Sequence, residues 1–317
     1  MHIDVRMLRF ALMIPISLLL TGSASAQYAY NEPVVTYAAE VPLLDCDGVP
    51  CFEARTPDGK SWKLGIDTGN ENSVISAQAA QAAGLKPTKP IPKNWPAEMF
   101  FTAVPALKIG DTTFRDVSML AMNFSEDVEK GTMPHVDGTL AYTAFKDRYL
   151  QLDFAGRVLR ISEPLTEMAD CGKLCDKISL IHFGKQGPPI VVARGFEING
   201  KSVTAQVDTM YTGSLLVYTA SIEKLGLGEA ATTTETRKFL LTDGGVDMKV
   251  ALAERESFHG LALGGAHAKV YFPAKGVHEP DGLFDATVGL ELFQNMIVTF
   301  DLHGMNLILQ KGQSRSS

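Results

Sequence analysis

Two aspartates occupy the same local sequence context in the two halves of this chain of 317 residues. Asp67 lies within GKSWKLGIDTGNENSVIS, which starts at Gly59, and Asp208 lies within GKSVTAQVDTMYTGSLLV, which starts at Gly200. The two segments are 141 residues apart. Because each aspartate follows a short apolar strand and precedes a threonine, a duplicated fold would present one carboxyl group from each half.

A pair of carboxyl groups can hydrolyse an amide bond by acid–base chemistry. Two carboxyl groups about 3 Å apart cannot both ionise, so one pKa rises and the pair holds a single proton at mildly acidic pH. The ionised member can take a proton from water while the protonated member donates a hydrogen bond to a peptide carbonyl. This chemistry uses neither a metal ion nor a covalent intermediate, so we expect no cofactor.

The repeat extends to the elements that would position the two aspartates. Near the end of each half, TLAYTAF and YLQLDFAG are matched by TVGLELF and IVTFDLHG at an offset of 148 residues. A short helix is predicted after each Asp-Thr segment, over 76–83 and 219–225, because each run starts at Ser or Thr and stops at Gly-Leu. Three matched blocks in the same order indicate an internal duplication.

Alternating apolar and polar residues, separated by Gly, Asp and Asn turns, predict short antiparallel strands between the matched blocks. Predicted strand regions are 107–117, 246–253 and 261–272, together with 158–161 and 306–309 after hairpin turns at Gly156 and Gly304. The sequence therefore predicts an all-β fold with short helices, built as two internally duplicated β-barrel lobes with a cleft between them. The lobes are expected to span residues 27–165 and 166–317.

Residues 1–26 have the features of an export signal that is removed from the mature chain. Arg6 and Arg9 precede an apolar run, and small residues precede an expected cleavage site after Ala26. The run is too short to be a stable transmembrane helix, and we expect no membrane span after signal removal. The formal net charge of -7 argues against a nucleic-acid partner, because phosphate binding requires clustered Lys and Arg.

Four cysteines form two close pairs in the sequence, Cys46 with Cys51 and Cys171 with Cys175. In an exported protein an even number of cysteines indicates disulfides. Local pairing is favoured because each pair lies near the start of one half, although cross-pairing remains open. The cysteine spacings differ from those of zinc sites and the seven histidines are scattered, so we expect no metal site.

One nucleotide-binding pattern is present but is not expected to function. The segment GFEINGKS, residues 195–202, matches the phosphate-binding pattern G-x4-G-K-S. A phosphate loop needs a helix after it, so that backbone amides converge on the phosphate. Here Asn199-Gly200 indicates a hairpin turn, and the following residues continue as a strand.

The residues Ile66-Asp67-Thr68-Gly69, the later element Thr287-Val288-Gly289 and the duplication resemble pepsin-like and retropepsin-like aspartic proteases, particularly the bacterial exported two-lobed type. The resemblance covers most of residues 50–312 and implies an acid-protease-like fold. It also implies that Asp67 and Asp208 form a catalytic dyad across a pseudo-twofold axis. By the same resemblance Thr68 and Thr209 cross-link the two turns, with Gly69 in a supporting position.

The chain departs from this family pattern at one glycine in each half. Met210 occupies the position that matches Gly69, and Ala141 occupies the position that matches Gly289. Glycine at such sites permits unusual backbone angles or a close backbone approach. The long side chain of Met210 could narrow the site or displace the water, whereas its backbone amide can still donate a hydrogen bond. Asn70 and Tyr211 also replace a residue that is usually small, and we expect the Asn70 side chain to support the site by a hydrogen bond to a carboxylate.

The resemblance implies a β-hairpin flap over the cleft. The segment 239–250 is the better candidate, with Asp243, Gly244 and Gly245 at its predicted turn, where they would contact substrate. In the first half, residues 86–105 are rich in proline and contain Trp95, Phe100 and Phe101, which either face the substrate or pack on the lobe surface.

Two functions from different classes follow from these observations. The first is an aspartic endopeptidase, exported to the bacterial periplasm or secreted, that acts on a peptide or protein substrate. The second is a catalytically inactive envelope protein that binds a peptide or protein partner in the same cleft, with Met210 preventing hydrolysis. A dimer that pairs two copies of the first lobe would also keep catalysis, but a monomer is expected because the chain carries its own second lobe.

Overall fold

A computed structural model describes residues 37–89, 99–124, 134–164, 175–182, 189–241, 244–264, 269–274, 279–280 and 282–312. All of them belong to the unit Pro33–Ser317. The helical elements in these ranges are the α-helix α1 (Ala77–Ala82) and the 3₁₀ helices Tyr142–Phe145, Thr219–Ser221, Ala230–Thr232 and Leu290–Leu292. None of the helices in this part of the chain is long and apolar enough to cross a membrane.

The remaining regular structure is β-strand. The strands of the first half are β1 (Tyr37–Pro42), β2 (Leu44–Cys46), β3 (Val49–Arg55), β4 (Ser61–Asp67), β5 (Ser73–Ser76), β6 (Phe100–Ile109), β7 (Thr112–Met122), β8 (Gly138–Ala141), β9 (Tyr149–Asp153) and β10 (Val158–Ser162). The strands of the second half are β11 (Cys175–Lys177), β12 (Ser179–His182), β13 (Pro189–Ile198), β14 (Lys201–Val207), β15 (Leu215–Val217), β16 (Thr236–Leu241), β17 (Gly244–Leu252), β18 (Glu256–Phe258), β19 (Leu261–Ala262), β20 (Lys269–Phe272), β21 (Ala286–Val288), β22 (Met296–Asp301) and β23 (Asn306–Lys311).

Within the described residues these strands form three sheets that reflect the duplication. A seven-stranded sheet, in the order β2-β3-β4-β8-β5-β7-β6, uses only strands of the first half, and an additional β3–β6 pairing closes it on itself. A ten-stranded sheet uses only strands of the second half, in the order β16-β17-β20-β15-β21-β14-β13-β18-β19 with β12 beside β13. The predicted two-lobed, all-β fold with short helices is confirmed.

A six-stranded sheet joins the two halves in the order β1-β10-β9-β22-β23-β11. Its central pair consists of equivalent strands, β9 and β22, and the Gln151 side chain donates a hydrogen bond to the Thr299 hydroxyl at 3.1 Å. Strands of both halves are hydrogen-bonded in this one sheet. The lobe boundary between residues 165 and 166 therefore stays a prediction, and this sheet crosses it.

Each aspartate segment is held by the same arrangement of three strands. β4 pairs in parallel with β8, which pairs antiparallel with β5; likewise β14 pairs in parallel with β21, which pairs antiparallel with β15. The alternating burial along β4 places Leu64 and Ile66 in the core, fully buried. Complete burial of such a side chain contributes about 1.5–3 kcal/mol to folding. Asp67 therefore follows a strand whose side chains are held in the core.

The first predicted helix is present in the structure, whereas the second is shorter than predicted. Helix α1 begins after Ser76, whose hydroxyl accepts a hydrogen bond from the Ala79 amide at 3.0 Å, and the chain turns at Gly84 with φ of 67°. The second predicted helix is only a 3₁₀ turn, Thr219–Ser221, because no side chain caps its start. At 195–202 the structure has the β13–β14 hairpin with positive φ at its turn, so the phosphate-loop interpretation is excluded.

Candidate active site

The first Asp-Thr turn starts where β4 ends. The Gly69 amide donates a hydrogen bond to Asp67 Oδ1 at 3.1 Å, and the Asn70 amide also favours the ionised form of this carboxyl group. The Asn70 side chain is used elsewhere, because its Oδ1 accepts from the Asn72 amide at 3.1 Å. The backbone of Asn70, rather than its side chain, therefore contacts the carboxyl group.

The second Asp-Thr turn repeats this geometry despite the missing glycine. Asp208 follows β14, and its own amide donates to the Val288 carbonyl in β21 at 3.0 Å. Asp208 Oδ1 accepts hydrogen bonds from the amides of Met210 at 2.8 Å and Tyr211 at 3.2 Å. Met210 thus supplies with its backbone the same donor that Gly69 supplies in the first turn.

Reciprocal threonine hydrogen bonds join the two turns. The Thr68 amide donates to Thr209 Oγ1 and the Thr209 amide donates to Thr68 Oγ1, both at 3.1 Å. Each hydroxyl then donates to a strand of the opposite half, Thr68 to the Val207 carbonyl at 2.8 Å and Thr209 to the Ile66 carbonyl at 2.5 Å. Both threonines are fully buried, so water does not compete for these bonds.

This interlock brings the two carboxyl groups to one place. A Cβ atom added to Gly69 would lie 2.5 Å from Asp208 Cγ, so the Asp208 carboxyl group packs directly against the opposite turn. Burial and the charge of Asp208 raise the pKa of Asp67 to about 8, although the amides of Gly69 and Asn70 act in the opposite direction. Burial also raises the pKa of Asp208, against the amides of Met210 and Tyr211. The pair therefore retains a proton well above the usual range of an aspartate.

The Met210 side chain extends towards the first half. A Cβ atom added to Gly65 would lie 3.2 Å from Met210 Sδ and 3.3 Å from the Thr139 methyl group. The thioether packs against a small buried cluster that contains the disulfide hairpin β2–β3. The members of this cluster are Cys46, Val49, Cys51, Val136 and Leu290. Gly65 thus provides the space that the Met210 side chain needs.

The other departures from the family pattern also have local explanations. The Tyr211 ring is partly buried and meets the Tyr271 ring edge to face, with centroids 6.5 Å apart. Ala141 is buried, and its amide donates to Ser73 Oγ at 3.0 Å. The equivalent Gly289 amide donates instead to a backbone carbonyl, that of Ser214, at 2.8 Å. Both replacements are therefore accommodated within hydrogen-bonded or packed surroundings.

Gln206, which was not among the predicted site residues, also contacts the first turn. Gln206 Nε2 donates to the Gly69 carbonyl at 3.0 Å, from the second half to the first turn. Its Oε1 accepts from the Thr287 hydroxyl at 3.3 Å. The available signal was that a long polar residue stands two positions before Asp208, where the equivalent residue of the first half is Gly65.

The remaining predicted site residues lie further from the aspartates in the chain. Gly244 and Gly245 pair with Leu241 and Leu240 of β16, so the predicted hairpin pairing is present and the two glycines belong to strand β17. Asp243 lies outside the described residues. No group of three or more metal-binding side chains occurs among the residues that the structure describes.

One of the two predicted disulfides is seen directly. Cys46 and Cys51 are bonded across the β2–β3 hairpin. Cys175, at the start of β11, is also disulfide-bonded, and its expected partner Cys171 lies outside the described residues.

Comparison with models of protein families gives no match for this chain, and comparison with curated proteins gives none either. Among solved structures, the chain is similar to an aspartic proteinase from Irpex lacteus, with 12% sequence identity and a TM-score of 0.49. The similarity covers 88% of this chain and 98% of that proteinase, and it is a similarity of fold.

Proposed function

We propose that this chain is an aspartic endopeptidase that hydrolyses peptide bonds with Asp67 and Asp208. The observation that supports the proposal is the reciprocal bonding of Thr68 and Thr209, which holds the Asp208 carboxyl group against the turn that carries Asp67. Two carboxyl groups so close share one proton, as general acid–base hydrolysis requires.

The shared proton allows both steps of hydrolysis. The ionised carboxylate takes a proton from water, whose oxygen bonds to the peptide carbonyl carbon, while the protonated carboxyl group gives its proton to the carbonyl oxygen. In the second step the amide nitrogen receives a proton from the dyad and the C–N bond breaks, while one hydroxyl group of the diol returns its proton to the dyad as the carbonyl of the acid product forms. The dyad ends with one proton, as it began.

The substrate is a peptide or protein, and we assign substrate contact to the hairpin β16–β17 at Asp243, Gly244 and Gly245. The chain would act as a monomer made of lobes 27–165 and 166–317, after loss of residues 1–26. Its place of action would be the bacterial periplasm or the medium. The disulfide Cys46–Cys51 is consistent with an oxidising compartment.

Digestion of a peptide library tests the proposal. The mature chain is expected to cleave peptides between about pH 3 and about pH 7, because one carboxyl group must be ionised and the other protonated. Asp67→Asn and Asp208→Asn should each lower cleavage by at least about a thousandfold. Cleavage that persists in either variant would contradict the assignment.

A second function is favoured by one observation, the long side chain of Met210 where the family pattern has glycine. In this alternative the chain binds a peptide in the cleft without cleaving it. Met210→Gly separates the two possibilities. A wild type that binds library peptides but cleaves only after this substitution would show that the natural chain is a binding protein.

A further inference from the structure

A chain of hydrogen bonds leads from the interior of the second half to the first Asp-Thr turn. Tyr218 OH lies 2.8 Å from Thr287 Oγ1, and the Thr287 hydroxyl donates to Gln206 Oε1 at 3.3 Å. Because the Thr287 proton is used in this way, Thr287 Oγ1 accepts the Tyr218 proton. Gln206 Nε2 then donates to the Gly69 carbonyl at 3.0 Å.

The last link of the chain is a single peptide group. The carbonyl of Gly69 and the amide of Asn70 belong to the same peptide plane, and this amide lowers the pKa of the Asp67 carboxyl group. The donors of Tyr218, Thr287 and Gln206 therefore point in one direction, towards the Gly69–Asn70 peptide. Hydrogen bonds aligned head to tail polarise one another, and the effect is stronger where water is excluded. Tyr218 and Thr287 are both buried, at 8% and 5% exposure.

The second turn has a different neighbour at the equivalent position. The internal repeat aligns Gln206 with Gly65, which has no side chain to offer the Met210–Tyr211 peptide a donor. The space above Gly65 is taken by the Met210 thioether, which cannot donate a hydrogen bond. In each half the long side chain of one repeat contacts a glycine of the other. Gln206 bonds the Gly69 carbonyl, and the Met210 thioether lies over Gly65.

We propose that Gln206 is a positioning residue that orients the Gly69–Asn70 peptide and favours the ionised form of Asp67 within the pair that shares one proton. The catalytic part of this inference, an effect of Gln206 on the rate of hydrolysis, rests on the proposed endopeptidase function. Its electrostatic part concerns Asp67 alone and applies whether or not the chain cleaves peptides. A donor that acts on the ionised form of an acid lowers its pKa.

The decisive variant is Gln206→Met, which keeps the length of the side chain and removes its hydrogen bonds. The acid limb of the pH profile of kcat/KM should move upward by roughly 0.5–1 pH unit, because the pair that shares the proton has lost a donor that favours its ionised form. On that limb kcat/KM should fall roughly threefold to tenfold. Gln206→Glu should retain activity at low pH, where the protonated side chain can still donate, and lose it as the glutamate ionises.

Gln151→Met is the matched control. Gln151 also donates a hydrogen bond from one half to the other, to Thr299, but it does so in the six-stranded sheet. This variant should change the free energy of unfolding without moving the pH profile. If Gln206→Met behaves like Gln151→Met, with lower stability and an unchanged profile, Gln206 is merely structural and the inference is overturned.

A carboxyl titration followed by ¹³C NMR on aspartate-labelled protein separates this inference from the proposed function. Comparison with Asp67→Asn assigns the Asp67 resonance, and its midpoint should rise in Gln206→Met and, by less, in Thr287→Val. A shifted midpoint in a chain that cleaves nothing would support the role of Gln206 and reject the endopeptidase. An unshifted midpoint in both variants, in a chain that cleaves peptides, would reject the role of Gln206 and keep the endopeptidase.

Discussion

At the scale of single residues, two carboxyl sites lie where burial opposes ionisation. Burial and Asp208 raise the pKa of Asp67 to about 8, and burial raises that of Glu256, in β18, to about 8. Within the described residues, neither carboxyl oxygen of Glu256 has a hydrogen-bond partner, and the residue is only 2% exposed. The raised pKa of Asp67 has a role in the proposed reaction. Burial of Glu256 lowers the stability of the fold when the carboxyl group ionises, and the proposed reaction does not involve this residue.

The raised pKa of Asp67 predicts how stability depends on pH. Between about pH 4 and about pH 8 the folded chain holds a proton that the unfolded chain releases, so the free energy of unfolding falls as pH rises. Asp67→Asn should reduce this decline by roughly 1–3 kcal/mol, after allowance for solvent screening of a partly exposed group. Urea denaturation at about pH 4, 6 and 8 measures the effect, and an unchanged decline would contradict it.

The raised pKa of Glu256 predicts an effect of the same sign at an independent position. Its ordinary value is 4.5, so the stability contributed by the neutral form is lost as pH rises from about 4.5 to about 8. Glu256→Gln should be more stable than the wild type at about pH 8 by roughly 1–3 kcal/mol and similar to it at about pH 4. The exposed Glu53→Gln serves as a control, and an equal gain there would show that the effect is not one of burial.

At the scale of elements, the two Asp-Thr turns keep their backbone hydrogen bonds while they differ in side chains. The turn after β4 has glycine at position 69 and is covered by Gln206, whereas the turn after β14 has Met210, whose thioether lies over Gly65 in β4. The Met210 thioether needs the space left by Gly65, whereas the space left by Gly69 is taken by the Asp208 carboxyl group. The glycine missing from the second turn is compensated on the opposite strand.

This exchange predicts coupling between positions 65 and 210. Gly65→Val places new atoms within 3.2–3.3 Å of Met210 Sδ and the Thr139 methyl group, so it should cost roughly 1–3 kcal/mol of stability. In a Met210→Gly background the cost should be smaller by at least about 0.5 kcal/mol, because the thioether is gone. A double-mutant cycle in urea measures this coupling, and strictly additive costs would show that the two residues do not compete for space.

At the scale of the whole molecule, the six-stranded sheet and the threonine interlock join the two halves in different ways. The sheet uses regular backbone pairing between β9 and β22, whereas the interlock depends on two hydroxyl groups that are fully buried. A buried hydroxyl that bonds two backbone groups is difficult to replace, because its loss leaves those groups without partners. The approach of the two aspartates should therefore depend on Thr68 and Thr209 more than on any one pair in the sheet.

The interlock predicts a graded series at position 68. Thr68→Val removes the acceptor of the Thr209 amide and the donor to the Val207 carbonyl, and should cost roughly 2–4 kcal/mol. Thr68→Ser retains the hydroxyl and should cost less than about 1.5 kcal/mol. Thr299→Val, which removes one hydrogen bond in the sheet, should cost less than Thr68→Val. Equal stability of the Val and Ser variants at position 68 would contradict a role for the hydroxyl.

Local patterns were sufficient to predict most of the fold. The alternation along β4 and β14, the cap at Ser76 and the Asn199-Gly200 turn act over a few residues, so each could be recognised in the printed sequence. The repeat then indicated that the two Asp-Thr segments are equivalent. The second helix was predicted too long, since the chain after Tyr218 has no side-chain cap to support more than a 3₁₀ turn.

By itself, the sequence determined the duplication, the strand-rich fold and the two Asp-Thr turns, because these follow from local periodicity and from the similarity of one half to the other. The hydrogen bond from Gln206 to the Gly69 carbonyl and the packing of Met210 over Gly65 became evident only in the folded chain. These contacts join residues that are 137 or more positions apart, so they depend on how closely the two halves approach. A repeat shows which positions are equivalent, but the packed interface decides which side chain occupies the space between them.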